Sequence, residues 1–133
     1  MADDELILTP IVNAASTLRR AIVARPRDEF VRDAIVQRFE YTYELAWKFV
    51  RRRLIAQGVE TNALTRRDLF REAAKARLID DPLAWFDFTR ARNLVSHTYN
   101  EATALEVVAV AEIFLPAVET LIAELERRNE HSA

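Results

Sequence analysis

The sequence predicts an all-α fold, an up-and-down bundle of four to five antiparallel helices in a single domain spanning residues 1–133. Three observations predict it. The chain has one glycine in 133 residues, where ordinary usage of about 7% would give roughly nine. A chain so poor in glycine lacks the material for a phosphate-cradling loop, a dinucleotide-binding turn or a series of tight hairpins. Half of the residues are hydrophobic and 30% are charged, the balance of a folded chain with one core. Apolar residues also recur at helical spacing between recognisable caps.

Each helix has its own start and stop signals. Thr9-Pro10 reads as an N-cap followed by a first-turn proline, opening a helix with Ile11, Val12, Ala15, Leu18, Ile22 and Val23 inward. Arg25-Pro26 ends it. A second helix is expected from near Asp28 to about Gln57, with Gly58 placed as its C-terminal cap. Thr65-x-x-Asp68 is a variant capping box for a short helix burying Leu69, Phe70, Ala73 and Ala74. Asp81-Pro82 starts a fourth helix that holds Trp85, Phe86, Leu94 and Val95. Asn100 caps the last one, whose stripe is Val107, Val110, Phe114, Leu121 and Leu125, and Pro116 is expected to kink or break it.

The second helix is unusually apolar. Phe39, Tyr41, Tyr43, Leu45, Ala46, Trp47, Phe49 and Val50 cover most of its circumference, leaving Glu40, Glu44, Lys48 and Arg52 as a charged stripe. Such a helix is either central in the bundle or covered by a second subunit. The reading adopted from the sequence is a homodimer.

Composition narrows the chemistry. Cysteine is absent, which removes disulfides, a thiol nucleophile and a Cys-based zinc site. Only His97 and His131 carry imidazoles, so no metal site and no cofactor is implied. The acidic start, Met1 to Glu5, is unlike a signal peptide, and the longest charge-free stretch, Leu6 to Leu18, is too short to span a bilayer. A cytoplasmic protein without membrane contact is expected. The net charge of −2 argues against whole-surface nucleic-acid binding. Locally, however, residues 48–77 carry nine basic against three acidic residues. Trp47 and Trp85 read as core or interface residues. Arg51, Arg52 and Arg53 suit either phosphate contacts or a solvated helix end.

Residues 91–100 read Ala-Arg-Asn-Leu-Val-Ser-His-Thr-Tyr-Asn. On a continuous helix, Arg92, Asn93, Ser96, His97, Tyr99 and Asn100 share an arc of about 160°, and Tyr99 lies almost over Arg92. Ala91, Leu94, Val95 and Thr98 then face the core. The polar face has no Glu, Lys or Asp, the usual solvating residues. It collects groups that bind phosphate or move protons. Arg92 and Ser96, like Asn93 and His97, are four apart and within reach of each other.

Arg92-x4-His97-x-Tyr99, with Asn93 after the arginine, resembles the signature of HEPN-domain proteins. The block from Gln37 to Lys48 resembles the second helix of one branch, the nucleotidyltransferase substrate-binding proteins encoded beside a minimal nucleotidyltransferase (MNT). Arg71-Glu72-Ala73 and the run from Leu78 through Trp85 to Asn93 extend the resemblance, which covers about residues 28–125. It implies a helical bundle dimerising through its motif-bearing face and a complex with the MNT protein. It further implies a metal-independent endoribonuclease acting as the toxin of a toxin–antitoxin pair, with RNA as its substrate. Arg92 and His97 would be its catalytic pair, Asn93 and Ser96 their polar support, and Tyr99 the residue that the partner AMPylates. The alternative is a non-catalytic subunit that helps a nucleotidyltransferase hold its substrate.

Overall fold

The computed structural model describes residues 5–132; the acidic start at residues 1–4, part of the targeting argument, lies outside them. Among the described residues there are five helices and no strand: α1 (Thr9–Val23), α2 (Glu29–Ala56), α3 (Arg66–Lys75), α4 (Pro82–His97) and α5 (Glu101–Ser132). The predicted all-helical bundle is the fold.

Four of the five starts are made by the expected chemistry. The Asp28 carboxylate accepts from the Val31 amide at 2.9 Å, Thr65 Oγ1 from Asp68 at 3.1 Å, and Asp81 from Leu83 at 3.0 Å. Asn100 and Thr103 cap α5 reciprocally, each side chain accepting from the other's amide at 3.0 and 2.9 Å. These bonds occupy amides that the first helical turn leaves without partners. Gly58, at φ +90°, follows the C-cap of α2 as expected.

Two boundaries differ from expectation. The N-cap of α1 is Leu8, which has no capping side chain, and Thr9 is already helical. Pro10 therefore occupies the second helical position, where a missing amide costs nothing either. Pro116 does not break α5, which runs through it. Phe114, Leu115 and Val118 are buried on both sides of the proline, and this packing holds the helix together.

At the centre of the core lies an aromatic cluster. The Phe114 ring is 5.1 Å from those of Phe39 and Phe88 and 5.7 Å from Trp85, in edge-to-face contacts. Trp85 in turn stacks on Phe70 at 5.2 Å. Four helices thus meet at one point. α2 packs against each of the other four helices, which explains its apolar circumference within one chain. The motive for a dimer drawn from that helix therefore falls away, although Phe30 and Tyr41 remain exposed on it. Arg53, read with Arg51 and Arg52 as a solvated or phosphate-binding group, is instead 3% exposed and donates to Asn129 Oδ1 at 2.8 Å. No described helix is long and apolar enough to cross a membrane.

Candidate active site

The first half of α4 is anchored in the core; in its last turn Val95 still packs against the core as expected, while the polar side chains are exposed. Trp85, Phe88 and Ala91 are buried, whereas Asn93, Ser96 and His97 are exposed. Arg92 lies at the boundary. Its Nη1 donates to Ser96 Oγ, the contact expected from their spacing. Its Nε lies 3.2 Å from Glu44 Oε2 on α2. The same carboxylate oxygen is 3.6 Å from Arg66 Nη1, at the start of α3. Glu44 thus sits between two guanidiniums and fixes Arg92 against the bundle. Glu40, one turn earlier, has its carboxyl pushed up by burial. Arg92 opposes that shift and the negative charge of Glu44 adds to it.

His97 is the last residue of α4, exposed, and its side chain makes no hydrogen bond or ion pair among the described residues. No side-chain hydrogen bond joins it to Asn93, also exposed and without a polar side-chain partner among them. Along the helix His97 is about 140° around from Arg92.

Tyr99 does not share the face of Arg92. The helix ends at His97, and Thr98 is extended at φ −144°, ψ 118° and exposed rather than packed in the core. Beyond that break Tyr99 turns toward α2, where its hydroxyl donates to Asp33 Oδ1. The phenol, 54% exposed, is pushed up to about 12, first by this hydrogen bond to a carboxylate, then by desolvation and the charges of Asp33, Glu29 and Glu40. Tyr99 and Asn100 border a cleft of about 320 Å³ together with Arg32, Asp33 and Glu101. The expected polar set therefore divides in two: an Arg92–Ser96–Glu44 corner and a Tyr99–Asp33 cleft, with His97 at the helix end between them in sequence.

Glu44, Arg66 and Asp33 were not among the sequence candidates. The fourfold spacing of Glu40 and Glu44 marked a charged stripe, but its pairing with Arg92 is a tertiary contact. Among the described residues no cluster of three or more His, Cys, Asp or Glu side chains could hold a metal ion.

Residues 7–127 match the family described as "Nucleotidyltransferase substrate binding protein like". A Haemophilus influenzae protein named "Probable ribonuclease HepT" is 34% identical over 99 residues, covering 72% of this chain and 68% of that one. A Haemophilus influenzae structure, described as the fold of a substrate binding domain of a nucleotidyltransferase, superposes with a TM-score of 0.82 at 27% identity, covering 90% of this chain and 99% of the other. A Thermus thermophilus structure gives 0.78 at 27% identity over 86% and 98%. With an all-helical bundle, the Arg92-to-Tyr99 signature and a family match over nearly its whole length, this chain belongs to the nucleotidyltransferase substrate-binding protein family, the HEPN branch that its sequence resembles.

Proposed function

We propose that the protein is a metal-independent endoribonuclease that acts as a toxin and is restrained by a minimal nucleotidyltransferase. The observation that carries this reading is the end of α4. There an arginine is held by Glu44 and Ser96 while a histidine five residues on stands free in solvent. The likeness to a protein named as a ribonuclease supports it.

In the proposed reaction His97 takes the proton from a ribose 2′-hydroxyl, and the 2′-oxygen attacks the adjacent phosphorus. The bond from phosphorus to the 5′-oxygen breaks, leaving a 2′,3′-cyclic phosphate and a 5′-hydroxyl. Arg92 stabilises charge on the phosphoryl oxygens, and Ser96 keeps its guanidinium in place. Asn93 supplies a further polar group on the exposed side. A second group must protonate the leaving oxygen. In a homodimer that group is His97 of the second copy. An exposed apolar stripe on α5, Leu105 with Ala109 and Ile113, offers surface for self-association. Light scattering should give twice the mass of the chain; a clean monomer contradicts the dimer.

Control is assigned to Tyr99. The partner transfers AMP from ATP: the phenol oxygen bonds to the α-phosphorus, pyrophosphate leaves, and the phenolic proton goes to solvent. The new anion would stand in the cleft that contains Arg32 rather than over Arg92, and would repel RNA at the end of α4. RNA cleavage should persist in chelator and leave cyclic phosphate ends; products with any other end contradict the mechanism. Incubation with the partner, ATP and magnesium should add nucleotide mass to the Tyr99 peptide and none to Tyr99→Phe.

The second reading, a non-catalytic substrate-binding subunit, is favoured by the description of the family and of the Haemophilus structure. Expression without the neighbouring nucleotidyltransferase separates the two. Growth arrest that the partner relieves supports the toxin. Normal growth with no RNA cleavage supports the subunit.

A further inference from the structure

Beside Arg66 lies a cleft of about 270 Å³ between α2 and the start of α3. Arg66, which lines it, lies 4.1 Å over the indole of Trp47 and 3.6 Å from Glu44. The cleft and the Arg92 corner therefore adjoin through a single guanidinium. Three further observations define the cleft's chemistry. The Trp47 indole nitrogen, a donor that cannot accept, is buried without a hydrogen-bond partner. Thr61, also lining the cleft and only 6% exposed, has a buried hydroxyl oxygen without a partner. Arg51 is exposed at the mouth and makes no ion pair or hydrogen bond among the described residues. None of the described residues lining this cleft carries a carboxylate.

Buried polar groups in folded proteins are rarely left without partners, so two beside one cleft need an explanation. The groups here are mainly donors: two guanidiniums, an indole N–H and a hydroxyl. Arg66 already faces Glu44, but Arg51, the indole N–H and the Thr61 hydroxyl have no acceptor, and the several anionic oxygens of a phosphate supply one. Arg67 lies 4.8 Å over the half-buried Phe86 ring, and Arg71, 5.3 Å over the same ring, is paired with Asp68 at 3.2 Å. Arg67, exposed beside Arg66 and without an ion pair among the described residues, extends the positive charge past the pocket, which fits a strand better than a free ion.

We propose that the Trp47–Arg51–Thr61–Arg66 cleft holds a backbone phosphate of the same RNA strand whose scissile phosphate lies against Arg92. This rests on the ribonuclease reading above. Arg66 serves both places: it closes the cleft over Trp47 and, through Glu44, abuts the catalytic corner. The cleft positions the strand and takes no part in bond breaking.

The test uses full-length His97→Ala, which should bind RNA without cutting it, and a fluorescein-labelled uridine oligonucleotide in a salt series read by anisotropy. Arg51→Gln added to that parent should weaken binding by about tenfold and lower the salt slope by about one. Trp47→Phe, which keeps a ring and removes the N–H, should weaken it by about threefold. Arg20→Gln, an exposed arginine on α1, should leave affinity within about twofold. Parental affinity and slope in Arg51→Gln would overturn the proposal, whatever the folding of Trp47→Phe. ATP or inorganic phosphate displacing the oligonucleotide at lower concentration than unlabelled RNA would also overturn it, by making the cleft a site for free phosphate compounds. Failure of the parent to bind RNA at all would contradict the ribonuclease reading itself.

Discussion

At the start of α4, Trp85 and Phe88 are each 2% exposed and in ring contact with Phe114, which joins them to α2 and α5. At its end, Ser96 and His97 face solvent, and the following loop residue Tyr99 is tied to α2 by a hydrogen bond to Asp33. The first half is held by apolar burial shared among four helices. The second is held by the packing of Val95 against the core and by a few polar contacts, most of them around Arg92. Residues that pack decide whether the chain folds, and the exposed polar residues beyond Arg92 (Asn93, Ser96 and His97) contribute little to that packing.

Substitutions should separate the two ends. The largest effect on folding belongs to Phe114→Ala, which empties the point where four aromatic rings meet. It should cost about 3–5 kcal/mol in urea unfolding. A cost below about 1 kcal/mol would mean that the cluster is not the centre of the core.

Glu44→Gln lies at the boundary between the regions. It leaves Arg66 and Arg92 facing a neutral amide and should cost about 1 kcal/mol. RNA cleavage should fall more than stability does, because Arg92 loses the contact that fixes it. Unchanged cleavage would remove Glu44 from the site.

The Tyr99 contact predicts a pH effect. Its phenol is held at about 12 against an ordinary 10, so the folded state favours the neutral form. Its contribution to stability is complete below about pH 10 and is lost as pH rises through 12. In an ultraviolet titration, Asp33→Asn should bring one phenol back toward 10. If the phenolate curve does not move, Asp33 is not the cause.

The smallest effect is expected at the far end of α5. Arg127 and Arg128 hold the Glu124 carboxyl at about 2, below its ordinary 4.5. This contribution is present above pH 4.5 and is lost as pH falls through 2. Glu124→Gln should flatten that part of the acid limb by less than about 1 kcal/mol, the usual scale for surface pairs. A larger change would give this helix end more weight than its exposure allows.

The features legible in the sequence were those made locally. Asp28, Thr65, Asp81 and Asn100 cap their helices within three residues, so their spacing alone identified them. The Arg92–Ser96 contact is of the same kind. Thr9 was misplaced by one position because proline is tolerated at either of the first two helical positions, so it cannot tell them apart. Tyr99 was placed over Arg92 by carrying the helical period across a break. The signal was present: if Asn100 caps α5, the chain must leave α4 before it, and Tyr99 cannot be helical. Glu44 could not be found this way, since its partner lies on another helix 48 residues away. The central position of α2 also needed the three-dimensional arrangement, because an apolar circumference fits neighbouring helices and a second subunit equally well.

On the proposed function, the exposed end of α4 serves RNA cleavage, and His97 there contributes almost nothing to folding. Melting and single-turnover cleavage of His97→Ala, measured on one preparation beside the parent protein in chelator, test it most directly. The variant should melt with stability unchanged to within about 0.5 kcal/mol and cut RNA more slowly by about 10²-fold or more. A folded His97→Ala protein that cleaves RNA as fast as the parent would contradict the claim.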